Sequence, residues 1–189
     1  MALGRGAIVV ADSQMGATSA VGAIALGEGA TVAADTTGAS DKTPVSADGA
    51  VVIGRNAKAL ASADRSSVSN SVAIGTNSYI NGDASIAIGF GAGEGGGTDT
   101  AYQTGDNVAL GRSAGSQVNG ATNLGVGSLA GVNVAGDKNT AMGAGAGNSV
   151  TGDRNLALGY QAGSVVQGLS SSGPVATDNL AVGSYAGNN

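Results

Sequence analysis

The chain has 189 residues, among them 35 glycines, two prolines, one phenylalanine and four tyrosines, with no cysteine, histidine or tryptophan. A net charge of −5 with no run of like charge argues against nucleic-acid or anionic-membrane binding, and the missing cysteine and histidine remove disulfides, thiol chemistry and imidazole bases. Apolar residues make up 42% of the chain but are chiefly small, so large buried aromatics cannot carry the core, and glycine does not recur every third residue as collagen requires.

Read from its start, "MALGRGAIVV" lacks a charged leader, an apolar stretch and a cleavage site in succession, so no signal peptide is predicted. It opens inside a repeat, as an excised fragment would. The repeat is a short apolar run followed by G-x-x-[AS]. It begins at Gly4, Gly27, Gly54, Gly75, Gly89, Gly111, Gly127, Gly143, Gly159 and Gly183. Gly75 and Gly89 stand 14 residues apart, while Gly111, Gly127, Gly143 and Gly159 follow at intervals of 16, with Val118, Val134, Val150 and Val166 in register. Longer intervals hold inserts near 10–22, 36–49, 61–70, 94–106 and 169–178, which contain both prolines and much of the Ser, Thr and Asp, as loops do. The chain reads as one domain over 1–189, with 14-residue-type repeats over about 1–89 and 16-residue-type repeats over about 107–189.

A unit of this length is too short for a helix pair, and Gly and β-branched residues interrupt every potential helical turn. It suits two strands of about five residues and two turns, one coil of an all-β solenoid. About ten coils at roughly 4.8 Å each predict a rod about 50 Å long. In the first strand Val72 and Ile74 point one way and Ala73 the other. Ile86 and Ile88 around Ala87, Val108 and Leu110 around Ala109, and Leu156 and Leu158 around Ala157 repeat the pattern. Both faces are apolar or small, as in strands buried on both sides. A thin coil has only one interior, so these twelve residues are the candidate core of an assembly with other copies of the chain. The second strand alternates apolar with polar, as in Ala57-Lys58-Ala59, and has one wet face.

The units "NSVAIGTNSYINGDASIAIG" (70–89) and "NLALGYQAGSVVQG" (155–168) resemble the head repeats of trimeric autotransporter adhesins, the YadA-like head. That resemblance implies a left-handed parallel β-roll and a homotrimer with the V-A-I and L-A-L strands toward the shared axis. It implies a place on the bacterial surface, held outward from a Gram-negative outer membrane, and attachment to host matrix proteins or host cells. The 16-residue units depart from the 14-residue form through their Ala-Gly step, which predicts wider C-terminal coils. Neck, stalk heptads and membrane barrel are not in this sequence.

No enzyme is predicted, and no catalytic, cofactor or metal site. Gly-Asp pairs at 82–83, 105–106, 136–137 and 152–153 read as turns rather than paired catalytic acids. "GVGSLA" (125–130) fits G-x-G-x-x-A, but no helix pattern follows and its glycines keep the 16-residue register. "GEGGGTD" (93–99) has the look of a calcium-binding nonapeptide but stands as a single copy. Tyr79, Phe90, Tyr102, Arg112, Tyr160 and Tyr185 are the candidate ligand contacts, since Tyr and Arg dominate binding hot spots. A structural segment of a trimeric phage fibre or spike, or a non-binding spacer, is the alternative reading.

Overall fold

The computed structural model describes residues 1–11, 19–35, 45–62, 67–93, 105–165 and 177–188. Among them are fourteen strands and no helix. In chain order they are β1 (Ala2–Leu3), β2 (Ile8–Ala11), β3 (Ile24–Leu26), β4 (Thr31–Asp35), β5 (Val51–Ile53), β6 (Lys58–Ser62) and β7 (Val72–Ile74). There follow β8 (Tyr79–Ile80), β9 (Ile86–Ile88), β10 (Val108–Leu110), β11 (Leu124–Val126), β12 (Thr140–Met142), β13 (Leu156–Leu158) and β14 (Leu180–Val182). The V-A-I and L-A-L runs form one ten-stranded sheet in the order β1-β3-β5-β7-β9-β10-β11-β12-β13-β14. A second sheet runs β2-β4-β6-β8. Every pairing is parallel and keeps the sequence register, so that Ala73 sits beside Ala87 and Ala87 beside Ala109. Parallel sheets built from successive repeats are the arrangement of a β-solenoid.

Each G-x-x-[AS] phrase is a β-turn. The amide of its last residue donates to the glycine carbonyl, at 3.1 Å for Ala7 to Gly4 and 3.3 Å for Ala186 to Gly183. The third residue has positive φ, as a type II turn requires. The turns stack directly. A Cβ on Gly127, whose φ is +128°, would lie 2.7 Å from the carbonyl of Gly143 in the next rung. Only glycine allows two backbones that close.

The third turn position is Gly6, Gly29, Asn56, Asn77 and Gly91 in the first half, residues that tolerate a left-handed backbone. Further on it is Ser113 (φ 53°), Leu129 (φ 60°), Gly145 (φ 68°), Gln161 (φ 50°) and Tyr185 (φ 58°). Leu129 therefore carries strain. Leu129→Asn is expected to stabilise the fold by about 1 kcal/mol, a rise in melting temperature of roughly 2–4 °C, read by calorimetry.

Two sequence expectations need correcting. The first strand spans three residues in nine repeats, not about five, because the stacked glycine turns end it early. The second strand does not run through the whole chain. After β8 its ladder shrinks to one hydrogen bond per rung, from Gly93 to Ala114, Gly115 to Ala130, Gly131 to Ala146, Gly147 to Ala162 and Gly163 to Ala186. Gly115 (φ +60°) and its equivalents turn the chain there, and a Cβ on Gly115 would meet the Ala109 Cβ at 2.7 Å. A third side is marked by the parallel bridges Asn119↔Ala135↔Thr151, with Ser19↔Ser46 as its counterpart in the N-terminal repeats.

The described N-terminal repeats hold another register device. Asp48 Oδ1 accepts the Ser19 hydroxyl at 2.6 Å and the Val21 amide at 2.6 Å, tying one rung to the next. These bonds, first Ser19 and then Val21, hold the Asp48 carboxyl below its ordinary range. Because the folded pKa is lower than the unfolded one, the contribution is complete above about pH 4 and is lost as pH falls through the folded value. The Val21 amide resonance should titrate below that pH in the native chain and stay flat in Asp48→Asn, as an NMR titration would read.

Candidate functional site

Two surfaces gather the sequence-predicted residues. The first is the outer face of the ten-stranded sheet. Within each three-residue strand the middle side chain enters the chain's own interior: Ala73, Ala87, Ala109 and Ala157 are all buried there. The flanking residues point outward. Val72, Ile74, Ile86, Val108, Leu110, Leu156 and Leu158 are half-buried and Ile88 is exposed. Register alignment makes them two columns, one continuously apolar with Ile53, Ile74, Ile88, Leu110, Val126, Met142, Leu158 and Val182. Ile88 at 38%, Met142 at 44% and Val182 at 61% exposure show that the chain does not cover this face itself. Thr140 is the polar break in the other column.

The second surface is the ridge made by the stacked turns. Its outermost position holds Arg5, Glu28, Arg55, Thr76, Phe90, Arg112, Ser128, Ala144, Tyr160 and Ser184 in successive rungs, bonded amide to carbonyl through the neighbouring turn residue. Phe90 and Arg112 thus occupy adjacent rungs, with the Ser113 amide on the Phe90 carbonyl at 2.8 Å. Tyr160 and Tyr185 meet edge to face, ring centroids 5.3 Å apart and planes at 82°. The Tyr185 hydroxyl is held above its ordinary pKa, by desolvation first and then by its hydrogen bond with Tyr160. Four of the six ligand-contact candidates therefore share one ridge. Tyr79 lies apart, half-buried on β8 of the second sheet. Tyr102 lies outside the described residues, as do 94–104 of the insert at 94–106 and 166–176, which hold Val166.

Charges on these corners pair between rungs. Arg5 binds Glu28 at 2.8 Å, and Arg154 binds Asp178 through two contacts at 2.6 and 2.9 Å. Arg154 holds the Asp178 carboxyl below its usual range. The Gly-Asp pairs are turn residues: Asp137 Oδ1 accepts the Ala121 amide and Asp153 Oδ1 the Asp137 amide, both at 2.8 Å. "GVGSLA" crosses β11 and a stacked turn, with no helix after it. Among the described residues there is no cluster of three or more His, Cys, Asp or Glu side chains placed to hold a metal ion. No described helix is long and apolar enough to cross a membrane.

One structural column escaped the sequence reading. Asn107, Asn123, Asn139, Asn155 and Asn179 precede successive strands and stack as a ladder. Each side-chain oxygen accepts the next asparagine's backbone amide, at 2.8 Å for Asn107 to Asn123 and 2.9 Å for Asn139 to Asn155. Ser85 continues the column toward the N-terminus by accepting the Asn107 amide at 3.3 Å, and Ser71 does the same for Ser85 at 3.2 Å. The signal was Asn at one fixed repeat position.

Comparison of this chain with protein-family models, with curated proteins and with solved structures finds no match.

Proposed function

We propose that the chain is the head of a trimeric bacterial surface adhesin of the YadA-like autotransporter type, a left-handed roll of ten repeat coils. The observation that carries this reading is the pair of apolar columns on the outer face of the ten-stranded sheet. A contiguous apolar patch of that length calls for a partner surface, and the same stripe on a second and third copy is complementary to it. In the trimer the aromatic and cationic turn ridge faces outward. Three ridges per particle multiply weak contacts with host matrix proteins or cell-surface receptors by avidity. The resemblance of the repeats to YadA-like heads supplies the choice of three copies, the surface location and the partner class.

Two measurements test it together. Sedimentation velocity should give three times the chain mass for the native protein and the single-chain mass for Ile74→Asp. That substitution puts a charge at a position which is half-exposed in the lone chain and dry in the assembly. The native protein should bind at least one of immobilised collagen, fibronectin or laminin, and Ile74→Asp at least tenfold more weakly. A single-chain mass for the native protein sinks the assembly. A trimer that binds no matrix protein or host cell would leave a structural fibre or spacer segment instead.

A further inference from the structure

The two halves of the chain differ inside. In the N-terminal repeats the interior side chains are sealed: Val32, Val52, Val68 and Ala73 are 0% exposed. In the 16-residue repeats Ala114, Ala130, Ala146 and Ala162 are sealed too, while Val118 at 6%, Val134 at 3%, Ala141 at 4% and Ala157 at 5% keep some free surface. Val45, at the N-terminal position equivalent to Val118, is 4% exposed but packs into the main core cluster. The column of Val118, Val134 and Val150 forms a cluster of its own, out of contact with the alanines of the facing strand. Between them runs one cavity, bordered at each rung from Ala87 to Ala157 by a strand residue, a turn glycine and a residue of the ladder column, Ser85 in the Ala87 rung and an asparagine in the others. The cause lies in the longer unit. Valine is the largest apolar side chain that this unit buries.

The cavity has a volume of about 50 Å³. Over rungs spaced about 4.8 Å apart, that is room for a single file of methylene groups. An aromatic ring or a branched group does not pass. The lining gives water little to bind, because the asparagine amides are already engaged. The Asn139 side-chain nitrogen donates to Asn123 Oδ1 at 3.1 Å and to the Gly152 carbonyl at 2.8 Å, and its oxygen accepts the Asn155 backbone amide at 2.9 Å. A cavity with satisfied polar walls and apolar faces stays dry and binds apolar guests.

We infer that the interior of the C-terminal repeats is a binding channel for an unbranched alkyl chain, threaded along the stack between the valine and alanine columns. The guest touches Ala109, Ala141 and Ala157 on one side and Val118, Val134 and Val150 on the other.

The full chain, refolded from urea with 1-decanol so that entry does not limit loading, should melt about 3–5 °C higher than without it. Cyclodecanol, equal in carbon number but too wide, should leave the melting point unchanged. Methyl NMR should show contacts from decanol methylenes to the Ala109, Ala141 and Ala157 methyls, and Val134→Phe, which plugs the bore, should abolish both effects. Should Val134→Phe fail to fold, the methyl contacts decide alone. Equal shifts with both alcohols, no shift with either, water rather than decanol against the alanine methyls, or contacts confined to Ile88 and Met142 on the outer face would each overturn the channel.

Discussion

Gly127→Ala should unfold the centre of the stack, at a cost of about 3–5 kcal/mol. Two penalties combine. The residue sits at φ +128°, where an L side chain is strained, and its new Cβ would lie 2.7 Å from both the carbonyl carbon and the carbonyl oxygen of Gly143. Both obstacles are backbone in a hydrogen-bonded rung, so no side chain can swing aside. Gly22→Ala is the control. It also has positive φ, +71°, but a Cβ there meets nothing within 4 Å. It should lose only the left-handed strain, about 1 kcal/mol. Urea titration of the two variants separates the effects, and equal losses would show that close stacking of the turns contributes nothing beyond backbone strain.

Asn139→Ala should cost about 3 kcal/mol, concentrated in the C-terminal repeats. The substitution strips a buried ladder residue of four partners. It leaves the Asn155 amide, which now donates to Asn139 Oδ1 at 2.9 Å, and the Gly152 carbonyl, which accepts from Asn139 Nδ2 at 2.8 Å, without their bonds. Buried backbone groups left in that state carry the full desolvation penalty. Hydrogen exchange should show lost protection at Asn155 and in β12 and β13, with β3 and β5 unaffected, because each rung bonds only to its neighbours. Loss spread evenly through all ten strands of the sheet would mean that the stack melts as one unit.

The repeat was legible because its causes are local. Glycine at Gly75, Gly89 and their equivalents announces stacked turns, since only glycine fits there. Alternation in 72–74 and 86–88 announces a strand with one residue inward and two outward. The second strand was legible at 30–32 and 57–59, where apolar and polar residues alternate, and misleading after residue 89. There the left-handed glycines of the Ala-Gly step bend the chain, and φ is not written in an alternation pattern. The expectation of wider C-terminal coils came from counting residues. The asparagine ladder was missed because Asn is common in turns; only its bonds to the next rung separate a ladder from a row of turn residues. At Leu129 and Tyr185 nothing in the residue type announces a left-handed backbone, because the neighbouring turns above and below impose it. The outer face was legible as apolar on both sides of the strand, while the ridge that unites Phe90, Arg112, Tyr160 and Tyr185 needed the register between repeats.

The one-neighbour bonding of the rungs has a consequence for how such a molecule changes over generations. Residues 127–142 begin and end at equivalent points of the repeat, and the Gly127 and Gly143 amides donate to the equivalent carbonyls of Leu110 and Val126. Excising those sixteen codons would let Gly143 dock where Gly127 does now, and duplicating them would add a storey in the same way. Overall height is therefore a quantity that unequal recombination can tune in fixed increments, each about the thickness of a single strand.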